Sequence, residues 1–151
     1  MRINKKNIGG VSHLHYLAYN GCVAVLNHPS VDQVKDDGGK TPLHYLASSG
    51  CKEVLNHPSV DKVKDNIGWT PLHLLASKRC KEVLNHKSVD KVKEDEGRTP
   101  LHWLAKKGCL KVKDIKSKYP WFQFGENKKV TKEMVNEIIN TPQSVRFIVG
   151  E

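Results

Sequence analysis

The chain has 151 residues, 38% of them hydrophobic, with 25 Lys and Arg against 16 Asp and Glu for a formal net charge of +9. That length fits one domain, and no apolar run approaches the roughly 20 residues a membrane-spanning helix needs. The start, Met1-Arg2-Ile3-Asn4-Lys5-Lys6-Asn7, has no apolar stretch after its charges, so no secretory signal is expected there and a cytoplasmic setting (host cytosol for a secreted effector) is predicted.

Residues 1–8 read as an N-terminal leader, and residues 9–110 as four copies of one unit. Leu14-His15-Tyr16-Leu17-Ala18 recurs at intervals of 29 as Leu43-His44-Tyr45-Leu46-Ala47, Leu72-His73-Leu74-Leu75-Ala76 and Leu101-His102-Trp103-Leu104-Ala105. Cys22, Cys51, Cys80 and Cys109 keep the same beat. A fixed period of this size is the signature of a solenoid, in which each unit buries its apolar face only against its neighbours. Such a body offers a long surface and no enclosed pocket, which favours binding over catalysis.

Within the second unit, Thr41 is placed to cap a helix N-terminus and Pro42 to occupy its first position. Leu43, Leu46 and Ala47 then give one apolar face, and Gly50 ends the helix in the left-handed region. A second, short helix is predicted through Cys51-Lys52-Glu53-Val54-Leu55-Asn56, stopped by Pro58. The stretch from Ser59 to Asp65 reads as extended, anchored by Val60 and Val63, and leads to a turn at Asn66-Ile67-Gly68-Trp69. Arg79 stands where the other units have Gly21, Gly50 and Gly108, so the third unit either carries backbone strain or ends its helix differently.

Gly39-x-Thr41-Pro42-Leu43-His44-x-x-Ala47-x-x-Gly50 resembles the opening of an ankyrin repeat, and Trp69-Thr70-Pro71-Leu72-His73 and Arg98-Thr99-Pro100-Leu101-His102 repeat the match. Ser12-His13-Leu14-His15 is a worn first copy without the proline. The similarity covers about residues 8–115. The usual ankyrin unit is about 33 residues; the unit here is about four residues, roughly one helical turn, shorter, so the outer helix should be cut back. The resemblance implies an all-α, ankyrin-like solenoid of four stacked short repeats closed by a non-repeat C-terminal helical cap. It also implies a hydrogen-bond network joining the histidines to the threonines, and a protein partner held on the loop tips and inner helices. Carried over residue by residue, the binding positions are Val11, Tyr19 and Asn20 in unit one and Lys40, Ser48 and Ser49 in unit two. Unit three contributes Ile67, Trp69, Ser77 and Lys78; unit four contributes Glu96, Arg98, Lys106 and Lys107. Trp69 stands out: an aromatic at an exposed tip suits a binding hot spot, and the alternative is a ring folded back onto its own turn or a neighbouring loop.

No catalytic residue, cofactor site or metal site is expected. Equivalent cysteines in adjacent units should lie about 8–10 Å apart, too far for a disulfide, and no Cys-x-x-Cys pair offers zinc ligands. They read as small buried hydrophobes. His28, His57 and His86 are expected to cap carbonyls or lie at the surface.

Residues 111–151 leave the period. Tyr119-Pro120-Trp121-Phe122-Gln123-Phe124 is too apolar for a loose tail. Thr131 is placed to cap a helix over Lys132–Asn140 with Val135, Ile138 and Ile139 inward, and Thr141-Pro142 to open a last one through Ser144-Val145-Arg146-Phe147-Ile148-Val149. The segment reads as a cap over the last unit, or else as a docking element that a partner displaces. Lysines inside the units alternate with acids, as in Asp61-Lys62-Val63-Lys64-Asp65, and read as a mixed-sign solvated surface. The unbalanced charge sits later, at Lys106, Lys107, Lys111, Lys113, Lys116, Lys118, Lys128, Lys129 and Lys132. Two functions follow: a non-catalytic, monomeric module for an unidentified protein partner, and, less favoured, a polyanion binder for nucleic acid or an anionic membrane.

Overall fold

In a computed structural model that describes residues 8–149, each inner helix begins where its cap predicts. These helices are α1 (His13–Tyr19), α2 (Pro42–Ser48), α3 (Pro71–Ser77) and α4 (Pro100–Lys106). Ser12, Thr41, Thr70 and Thr99 sit in extended backbone at the N-caps, each in a capping box with the histidine three residues on. Gly21, Gly50 and Gly108 end their helices at φ 80°, 81° and 73°, and Arg79 adopts the same conformation at φ 65°. The third unit therefore keeps the turn and carries the strain.

The helices stack in chain order, α1 on α2 on α3 on α4. Leu43, Leu46, Ala47, Leu72, Leu75, Ala76, Leu101 and Leu104 are fully buried between them, making the core a continuous ribbon rather than a ball. Each outer element is reduced to five residues of 3₁₀ helix, Val23–Asn27, Lys52–Asn56 and Lys81–Asn85, each burying one valine (Val25, Val54, Val83). This is the shortening that the missing turn of sequence predicts.

Three local expectations are corrected. The stretch from Ser59 to Asp65 is not extended in its first part: Val60, Lys62 and Val63 donate their N–H groups to the carbonyls of His57, Ser59 and Ser59. With no strand beside it, that backbone satisfies itself in turns. His28, His57 and His86 do not bind carbonyls; their Nδ1 atoms accept the N–H of Ser30, Ser59 and Ser88, each at 3.0 Å. Of the four cysteines, all free, only Cys80 is buried and the others are half-buried.

Beyond the array lie α5 (Val112–Ile115), α6 (Lys132–Asn140) and α7 (Gln143–Val149). Thr131 caps α6 through the Met134 N–H at 3.2 Å. The chain reaches α6 by a short antiparallel pairing: Val112 donates to the Lys128 carbonyl (2.8 Å) and Val130 to that of Leu110 (3.1 Å). Helix α6 packs against α4 in the place of a fifth inner helix, and Val135 and Ile138 are buried there, with Ile139 partly so. Thr141 does not cap α7. Its hydroxyl donates back to the Glu137 carbonyl and closes α6 instead. Among the described residues no helix is long and apolar enough to cross a membrane.

Candidate partner-binding face

Between successive inner helices the chain projects a tight hairpin, closed from within by a carboxylate. Asp36 accepts the N–H groups of Gly38 (2.9 Å) and Lys40 (2.8 Å). Asp65 does the same for Ile67 and Trp69, and Glu94 for Glu96 and Arg98. Burial opposes ionisation of Asp36, but the Tyr45 hydroxyl and the two N–H groups outweigh it and hold its carboxyl below the ordinary range. Glu94 is likewise held low: burial works against it, and Arg98 with the turn N–H groups prevails. Farther along each unit, Asp32 and Asp61 accept the hydroxyls of Ser59 and Ser88 from the following unit. The expected mixed-sign surface is thus corrected. Asp65 and Glu94 are buried and Asp61 is half-buried, while Lys62, Lys64, Lys91 and Lys93 are exposed. The exterior is more cationic than the composition suggests.

The hairpins stack edge to edge: Asp37, Asn66 and Asp95 donate their N–H groups to the carbonyls of Gly9, Gly38 and Ile67. Close approach requires glycine at the contact. A Cβ on Gly39, at φ 78°, would lie 2.5 Å from Asn66 Oδ1 and 2.9 Å from its backbone nitrogen.

The motif histidines tie the hairpins to the helices. In His44, Nδ1 accepts the Thr41 N–H (3.0 Å), so Nε2 carries the proton and donates to the Trp69 carbonyl (2.8 Å). His15 and His73 reach the carbonyls of Lys40 and Arg98 in the same way. Burial is the main cause that pushes His44, His73 and His102 below the ordinary imidazole value of 6.5. A proton relay would need imidazoles that exchange protons with solvent; these are locked as neutral struts.

The fourteen positions carried over from the resemblance fall into two sets. Tyr19, Asn20, Ser48, Ser49, Lys78, Lys106 and Lys107 stand exposed at the ends of the inner helices, and Ser77 is half-buried beside them. At the tips, Ile67 and Glu96 are exposed, while Val11, Lys40, Trp69 and Arg98 are half-buried. Lys40 pairs with Asp65 at 3.4 Å and Arg98 with Glu94 at 2.9 Å. The row at the helix ends changes character along the array. Tyr19, Ser48, Ser77 and Lys106 occupy equivalent places, as do Asn20, Ser49, Lys78 and Lys107, so the face grows cationic toward unit four.

Trp69 does not stand free at its tip. Its ring lies 4.7 Å, centroid to centroid, from Trp103 on the next inner helix and 5.8 Å from His73. Trp103 is in turn covered by Arg98 (4.6 Å) and Lys106 (4.7 Å). Beside it a cleft of about 230 Å³ opens between α4 and α6, lined by Arg98, His102, Trp103, Lys106, Lys132 and Asn136. The indole Nε1–H of Trp103 is buried with no acceptor, a situation that costs about 1–3 kcal/mol. The meeting of Trp103 with Lys132 and Asn136 escapes a register-by-register reading because α6 lies outside the period. The available signal was Trp103 itself, standing where the other units have Tyr16, Tyr45 and Leu74.

Among the described residues no group of three or more His, Cys, Asp or Glu side chains is placed to hold a metal. A family model described as ankyrin repeats (3 copies) matches residues 14–86 and again 51–115, together spanning well over half of the chain. No curated protein matches it.

Proposed function

The chain belongs to the ankyrin-repeat family, and we propose on that premise that it is a non-catalytic protein–protein interaction module, holding its partner on the hairpin tips and the exposed ends of the inner helices. The observation that carries this is the solvent-facing row Asn20, Ser49, Lys78 and Lys107, exposed in every unit and flanked by Tyr19, Ser48, the half-buried Ser77 and Lys106, mounted on a buried ribbon of leucine and alanine. Rigid helices present that row at fixed intervals, which lowers the ordering cost of binding. The four free thiols, carried on separate units, support a reducing compartment such as the cytosol.

Residues 9–110 form the array in this proposal, and residues 111–151 a permanent cap rather than a displaceable docking element. The support is that the tail supplies what a next unit would. Asn136 Oδ1 accepts from His102 Nε2, the Tyr119 hydroxyl donates to Asp90 at 2.7 Å, and Asp114 pairs with Lys81 at 3.4 Å. These replace the hairpin carbonyl, the serine hydroxyl and the Glu82 carboxylate that the preceding units use.

A photocrosslinking residue placed at Ser48 or at Lys107 in the native cell tests the face. Protein adducts from these positions, and none from the exposed Lys35, are expected. Adducts from Lys35 alone would sink the proposed surface.

A second reading keeps polyanion binding in view. Lys111, Lys113, Lys128 and Lys129 surround a shallow cavity of about 490 Å³ beside the short antiparallel pairing of Lys111 with Lys129. Duplex DNA, RNA and anionic vesicles titrated at two salt concentrations distinguish it, because phosphate binding falls steeply with salt.

A further inference from the structure

The cationic end of this face has a built feature that the neutral end lacks. Arg98 is held by Glu94 and Glu96, so its charge is largely spent. Among the described residues Lys106 and Lys132 make no ion pair, although both line the same cleft as Trp103. Trp103 lines the cleft with both lysines, and Lys106 lies 4.7 Å over its ring.

We propose that this cleft receives a carboxylate from an acidic segment of the partner protein, seated between Lys106 and Lys132 beside Trp103. The proposal rests on the protein-interaction reading above and adds the chemistry of the partner. Carboxylate suits the site on two counts. Two ammonium groups without ion pairs give charge complementarity, and the cleft's size suits one side chain rather than a fold. A nucleic acid fits less well. Trp103 is only 9% exposed, with Trp69, Arg98 and Lys106 over its ring, so no aromatic face lies open for a base to stack on.

The test uses the full chain and the blocked peptide acetyl-hexaglutamate amide, followed by tryptophan fluorescence and calorimetry. The double variant Lys106→Glu/Lys132→Glu is compared with Lys62→Glu/Lys91→Glu, which makes the same change of charge at exposed lysines outside the cleft. Peptide binding at least about tenfold weaker in the first variant, and within about twofold of the native chain in the second, is expected. Equal losses in both would show unspecific attraction and overturn the proposal, as would no binding by the native chain. Displacement of the peptide by a thymidine dodecamer at equal or lower concentration would assign the cleft to nucleic acid instead. Crosslinking at Ser48 separates the two levels: adducts there with no peptide binding leave the interaction reading standing and remove the acidic occupant.

Discussion

His102 donates from Nε2 to the side-chain oxygen of Asn136, 34 positions downstream, where the preceding motif histidines each reach a backbone carbonyl 25 positions on. A side chain on α6 thus stands in for a hairpin that the chain no longer builds. Replacing Asn136 by Ala should leave that imidazole without its partner and cost about 1 kcal/mol, a fall of about 2–4 °C in melting temperature. An unchanged urea midpoint would show that the contact contributes nothing to the proposed cap.

Stability should depend on pH near neutrality. His44, His73 and His102 are held neutral in the folded chain, chiefly by burial, with pKa values below the ordinary 6.5. The unfolded chain therefore takes up protons that the folded chain refuses. The contribution is complete above about pH 6.5 and is lost as pH falls through that value toward the lowered folded ones. Asp36, Asp61 and Glu94, also lowered, begin to matter only nearer pH 4. A urea midpoint lower at pH 5 than at pH 7.5 is expected; equal midpoints would contradict the neutral-strut assignment.

Arg79 holds φ 65°, which costs a side-chain-bearing residue about 1–2 kcal/mol. Arg79→Gly relieves that strain, at some cost from the greater freedom of glycine in the unfolded chain, and should stabilise by up to about 1 kcal/mol. Arg79→Ala keeps the strain and should change little. Equal gains in both variants would place the penalty in the guanidinium rather than in the backbone.

Trp69 has a double role to lose. Its half-buried ring on Trp103 should make Trp69→Ala cost about 1–2 kcal/mol of stability, below the roughly 3–5 of a fully buried tryptophan. If the exposed part of the ring meets the partner, binding should weaken by at least about 2 kcal/mol as well. Native affinity in a folded Trp69→Ala variant would remove the residue from the interface and leave it purely structural.

The sequence by itself determined what neighbours along the chain decide. Thr41-Pro42 sets a helix start, Gly50 its left-handed end, and Leu43, Leu46 and Ala47 the buried face; each depends on groups within one turn, and four copies announce the stacking. Only the tertiary structure decided the fate of the acids and the shape of the cationic end. Asp61 looks solvated until Ser88 of the following unit arrives, 27 positions on, and Trp69 looks like a free tip until Trp103 is laid against it. The cleft between Lys106 and Lys132 required still more, since α6 lies 32 positions beyond α4 (Thr131 against Thr99) rather than 29. A broken period hides partners from a register argument, because those contacts are fixed by how the last helix packs and not by spacing along the chain.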